Sequence, residues 1–179
     1  SDIAAAALFA AMNLFIAAGG ALTARTLFPG RPFSFERIAA FGLVSYAAIV
    51  ALMTVCGASG HLNTKAACAG AVLFLAAAAM ANIASFRNNR AEKYSAAQPS
   101  LPFFAKITAA VLVILFSLIL VWGILTPPPP WDAFVYHLTF AARWIQEGKI
   151  FPVTVPFGDQ AGTYFPSNTE LYYAWLMLP

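Results

Sequence analysis

Residues 107–138, ITAAVLVILFSLILVWGILTPPPPWDAFVYHL, decide the fold. An apolar run of membrane-spanning length stops at four consecutive prolines, and a tryptophan and an aspartate follow at once. The prolines at 127–130 cannot continue a helix and favour polyproline II geometry, so they end the run at the membrane surface and hold the chain stiffly away from it. Trp131 suits the headgroup region. Asp132 is thereby set just outside a membrane.

Working outward, the rest of the chain agrees with a lipid solvent. Its 179 residues are 61% hydrophobic and only 9% charged, with a mean hydropathy of +0.75, well outside the range of soluble domains. A spanning helix needs about 20 mostly apolar residues. Four runs qualify, at 3–24, 38–58, 66–86 and 107–125, and a fifth begins near Thr169 and is still apolar at Pro179. The expected fold is all-α: a polytopic transmembrane helix bundle with an extracytoplasmic loop bearing a short amphipathic interfacial helix. The first run is too long for a signal peptide and has no basic region before it, so it reads as a retained helix. With Ser1 in place of an initiator methionine and a fifth run cut short, the sequence reads as an N-terminal piece of a longer polytopic protein.

Basic residues give the orientation, because cytoplasmic loops are enriched in Lys and Arg. Arg25, Arg31 and Arg37 flank the first connection, and Arg87, Arg90, Lys93 and Lys106 flank the third. The opposite face carries Lys65, Arg143 and Lys149. The imbalance places the N-terminus and the Asp132 loop outside the cytoplasm. The net charge of +3 is therefore a topology signal and gives no reason to expect nucleic acid. Three divisions follow: a three-helix transmembrane leader at 1–86, a basic cytoplasmic linker at 87–106, and a module at 107–179 that holds a helix, a long external loop at 126–168 and the start of the next spanning helix. Cys56 and Cys68 lie near the outer ends of helices two and three. A disulfide between them is one reading, and small packing residues in apolar helices are the other. The alanine-rich run AGAVLFLAAAAMA at 69–81 suits helices that pack closely through small side chains, and Asn13 and Asn82 suit interhelical hydrogen bonds.

Long loops in compact proteins are usually functional, and this one holds the candidate site. Asp132 is well placed to cap a helix whose apolar residues Phe134, Leu138, Ala141 and Ile145 share a face and which ends at Gly148. Such a helix lies in the interface plane. A carboxylate there also suits a general base, or a ligand for a divalent metal beside a lipid-linked phosphate; capping and chemistry are compatible. Tyr136 falls one helical turn beyond Asp132, and His137 about 100° round from it. His137 suits donation to a phosphate or orientation of a substrate hydroxyl, or plain packing at the interface. Arg143 and Lys149 suit phosphate contact or a solvated role. Ser167 and Glu170 have capping-box spacing at the start of helix five, expected at the outer face. Glu170 is costly at the mouth of a spanning helix unless it is paired or faces a polar cavity, one it would share with Asp132. Asp159, in FGDQAGTY, reads as a turn residue.

These residues carry a resemblance. The apolar helix with its basic lead-in, then WDAFVYHLTFAARWIQEGKI, then YFPSNTELYYAWLMLP, resembles the N-terminal part of GT-C fold glycosyltransferases. Within these, it is most similar to the bacterial branch related to protein O-mannosyltransferases and lipid A sugar transferases. The match covers about residues 107–179 and leaves out the first three helices. It implies a multi-pass enzyme of the inner (plasma) membrane in the cell envelope, which transfers a sugar from a polyprenyl-phosphate donor to a glycan, lipid or protein acceptor on the extracytoplasmic face. The essential acidic residue of the first external loop falls on Asp132. Many relatives place a second acidic residue directly after it, where this chain has Ala133. Tyr136 and His137 match a Tyr-His pair of an uncharacterised branch, and together with Arg143 and Glu170 form the candidate substrate-binding set. The absence of a nucleotide-binding glycine loop agrees with a lipid-linked donor.

The alternative is a non-catalytic polytopic membrane protein: a transporter, a flippase or an envelope-assembly subunit. Transporters place charged or broken-helix positions at mid-membrane. The centres of helices one to four contain no Asp, Glu, Lys or Arg, which favours chemistry at the surface.

Overall fold

The computed structural model describes residues 2–29, 34–88, 103–126, 137–154 and 167–178. These form six helices and, among the described residues, no strand: α1 (Asp2–Leu27), α2 (Phe35–Ala58), α3 (Thr64–Asn88), α4 (Phe103–Leu125), α5 (Leu138–Glu147) and α6 (Asn168–Met177). Three of them are long and apolar enough to cross a membrane: Ile3–Leu27, Phe35–Ala58 and Thr64–Arg87. Each apolar run extends a few residues past its expected bounds, because polar residues continue a helix at a bilayer surface at little cost. Ser34 starts α2 by accepting a hydrogen bond from the Arg37 backbone N–H at 3.2 Å, which satisfies one of the donors that every helix start leaves open. Both ends of the 87–106 linker are helical, in α3 and α4; its centre lies outside the described residues.

Helices α1, α2 and α3 form one bundle, with α1 packed against both of the others. Its interior is built on small residues, with Ala24, Ala67, Ala71 and Ala78 buried. Asn82 donates to Thr26 Oγ1 at 3.1 Å and to the Leu22 carbonyl at 3.4 Å, tying α3 to α1. Cys56 and Cys68 are both free thiols. The outer surface of the bundle is apolar, with Leu14, Leu43, Val55 and Leu73 among many exposed aliphatic side chains, a surface suited to lipid rather than water. Among the described residues, helix α4 packs on no other helix over an extended face, and its described large apolar side chains are at least 45% exposed.

The C-terminal ends of the two short helices reach the α2–α3 turn, Gly148 against Leu62 and Leu178 against Thr64. Helix α5 buries Phe140, Ala141 and Trp144, and Trp144 donates its indole N–H to the Phe151 carbonyl at 2.8 Å. The buried stripe is thus turned from the Leu138, Ala141, Ile145 face that the sequence favours. The large rings of Phe140 and Trp144, 6.2 Å apart, take the interior and leave Leu138 half-buried. Gly148, at φ +68°, ends the helix. Its N–H reaches the Ile145 carbonyl and that of Lys149 reaches Trp144, a Schellman arrangement that a glycine accommodates without strain.

The chain after α5 is stitched to the α2–α3 turn by two backbone hydrogen bonds, Leu62 N–H to the Gly148 carbonyl at 2.8 Å and Ile150 N–H to the Gly57 carbonyl at 3.1 Å. Gly57 permits this approach, since a Cβ there would overlap Cγ1 and Cδ1 of Ile150.

Helix α6 differs from expectation in direction. Tyr172, near its start, packs on Tyr46 at the middle of α2, with ring centroids 5.7 Å apart. At its end, the Leu178 carbonyl accepts from Thr64 Oγ1 at 2.9 Å. The helix therefore rises toward the α2–α3 turn instead of descending from it. Its buried residues Leu171, Ala174 and Trp175 hold it there, and Trp175 donates to Asn13 of α1 at 3.2 Å.

Candidate functional site

Helices α5 and α6 pack side by side, which brings their first residues together. His137 precedes α5 with helical backbone angles, φ −58° and ψ −59°. It lies one turn before Phe140 and Ala141 on the buried face. Glu170 sits in the first turn of α6. The two meet directly: His137 Nδ1 is 2.6 Å from Glu170 Oε1. That length is at the short end for nitrogen–oxygen hydrogen bonds, where ionised partners are found.

The electrostatics follow from burial. The Glu170 side chain is 6% exposed and that of His137 33%. A carboxylate so buried needs a partner, and its position at the positive end of the α6 dipole adds a smaller favourable term. Its second oxygen, Oε2, is buried with no hydrogen-bond partner among the described residues. The Tyr173 ring stands edge-on to His137, with centroids 6.3 Å apart. When Glu170 is ionised, His137 must present Nδ1–H to it, which fixes the tautomer and the ring orientation.

Glu170 therefore does not close a capping box. Ser167 makes no side-chain capping hydrogen bond, and the carboxylate turns away toward His137 because pairing a buried charge outweighs capping one backbone N–H. Arg143 is on the exposed side of α5, about 120° round the helix from His137. It lines an open groove of about 560 Å³ with Thr139, Glu147, Lys149 and residues 151–154. Of the candidate substrate-binding set, His137 and Glu170 come together and Arg143 faces elsewhere. Asp132, Tyr136, Trp131, the prolines at 127–130 and Asp159 lie outside the described residues.

No three His, Cys, Asp or Glu side chains gather among the described residues, and His137 and Glu170 are engaged with each other. The sequence signal for the pair was Glu170 itself, a carboxylate beside an apolar helix that requires a partner. The partner's identity depends on how α5 and α6 pack, which their separate sequences do not encode.

No family model, no curated protein and no solved structure matches the chain.

Proposed function

We propose that this chain is the N-terminal part of a GT-C-type membrane glycosyltransferase that moves a sugar from a polyprenyl-phosphate donor to an acceptor hydroxyl on the extracytoplasmic face. In this reading α4 is a further spanning helix, and its apolar surface meets lipid or later helices. Asp132 is the general base. It takes the acceptor proton as the acceptor oxygen bonds to the anomeric carbon, and the phosphate departs with the electrons of the broken bond. The observation that carries the reading is the contact of His137 with Glu170. It joins WDAFVYHL to SNTELYY, the two segments on which the resemblance rests, in an ionisable pair next to Asp132 in sequence.

The test is direct. Membranes containing the full-length protein, given a radiolabelled polyprenyl-phosphate sugar, should release polyprenyl phosphate and label an acceptor. No release above that of membranes without the protein would end the enzymatic reading.

A second reading draws on the same pair. Buried ionisable groups beside the middle of a spanning helix also mark ion and proton pathways, so a transporter or flippase would use Glu170 as a carrier. That reading predicts substrate movement that is indifferent to Asp132.

A further inference from the structure

We propose that the groove between α5 and residues 149–154 holds a singly anionic phospholipid, with its phosphate on Arg143 and Lys149 and an acyl chain along Phe151. The inference does not depend on the glycosyl-transfer reading.

Depth in the bilayer carries the argument. The α2–α3 turn joins two helices long and apolar enough to span, so it lies at a membrane surface. Gly148, at the end of α5, accepts a hydrogen bond from Leu62 in that turn. At the start of α5, His137 meets Glu170, two positions before Tyr172, whose ring packs on Tyr46 at the middle of α2. Helix α5 therefore descends from the headgroup layer toward the middle of the bilayer, its ten residues covering about 15 Å.

Arg143 and Glu147 stand one turn apart on the same side of α5 and form one wall of the groove. Lys149 and the chain to Thr154 form the other. Two hydrogen bonds hold this second wall in place, from Trp144 to the Phe151 carbonyl and from Ile150 N–H to the Gly57 carbonyl. The enclosed volume, about 560 Å³, is within the range of ligand sites.

The lining is ordered by depth. Glu147 and Lys149 flank Gly148 at the surface, Arg143 lies a turn below Glu147, and Phe151 is held level with Trp144. All three charged side chains are exposed, and among the described residues none of them is in a salt bridge. A guanidinium below the surface of a bilayer is costly unless it reaches out to the headgroups or draws a phosphate to itself. A phosphodiester between Arg143 and Lys149 meets that need, and the planar guanidinium suits it in particular. Charge selects the headgroup. Two cations and one carboxylate leave the groove one positive charge, which a singly anionic lipid balances. A choline or ethanolamine headgroup brings a cation of its own and leaves that charge unmatched.

The test is photocrosslinking of the full-length protein in phosphatidylcholine nanodiscs. The probes are phosphatidylglycerol with a diazirine in its acyl chain and the matching phosphatidylcholine. Phosphatidylglycerol should label the peptide that contains Phe151 more strongly than phosphatidylcholine does. Arg143→Gln and Lys149→Gln should each lower that labelling about fivefold, the loss expected for one cation beside an anionic headgroup. Both should leave the weaker phosphatidylcholine labelling unchanged, which also shows that the variants are folded. Arg143→Lys, which keeps the charge, should retain more labelling than Arg143→Gln. Lys65→Gln removes an exposed cation at the same surface but outside the groove and should change nothing.

Equal labelling by the two lipids would overturn the proposal. So would a loss in Lys65→Gln as large as that in Arg143→Gln, since diffuse surface charge would then account for the preference. Loss of phosphatidylglycerol labelling when inorganic phosphate is added at constant ionic strength would also overturn it, by making the site one for the free ion.

Discussion

Trp175 of α6 donates its indole N–H to Asn13 Oδ1 of α1 at 3.2 Å, across 162 positions of sequence. Trp175 is 0% exposed, so the bond fixes where the short helix sits on the bundle, and through α6 it fixes where Glu170 meets His137.

Asn13→Ala removes the acceptor and leaves a buried indole donor unpaired. The expected cost is about 1–2 kcal/mol, toward the upper end of polar contacts between membrane helices. Reversible unfolding in mixed detergent and SDS measures it, and Asn13→Gln, which keeps both an amide acceptor and the donor that meets the Phe9 carbonyl, should lose less.

The Gly57 to Ile150 approach makes a second prediction. Gly57→Ala forces overlap with Ile150 and should destabilise the protein by about 1–3 kcal/mol, as overpacking does. Adding Ile150→Ala empties the space. The double variant should therefore be less destabilised than the sum of the two single changes, and an additive result would show that the loop does not dock on the turn.

His137→Phe strands the Glu170 carboxylate. The cost should be on the order of 2–3 kcal/mol, below that of a fully buried pair because His137 is one-third exposed. The H137F/E170L variant, which removes both ionisable groups, should be more stable than H137F alone in the same unfolding assay.

Orientation is checked by labelling. With Cys56 and Cys68 replaced by alanine, a cysteine at Ser59 should react with a membrane-impermeant maleimide added to intact cells, and one at Ala91 should react only after lysis. The reverse pattern would invert the topology read from the basic residues.

The three long helices were legible in the sequence because apolar length alone sets a span, and Asn82 was legible as an interhelical donor because an amide in an apolar helix must find a partner. Gly148 marked the end of α5, since only its missing Cβ makes the left-handed stop cheap. The orientation of α5 was not legible. The stripe at Leu138, Ala141 and Ile145 is as regular as the one through Phe140, Ala141 and Trp144, and the Trp144 bond to the Phe151 carbonyl decides between them. Local spacing suggested a capping box from Ser167 to Glu170, but it carries no information about His137, a competing partner 33 residues away in sequence. The rise of α6 toward the α2–α3 turn depends on Thr64 and Asn13, which no pattern within residues 168–177 reveals.

The central claim, sugar transfer that depends on Asp132, is tested most directly by comparing the full-length wild type with Asp132→Asn at equal membrane abundance and a saturating polyprenyl-phosphate sugar. If Asp132 is the base, the variant should lose transfer by roughly a hundredfold or more, the usual contribution of general-base catalysis, with its expression unchanged. Wild-type turnover in the variant would contradict the account.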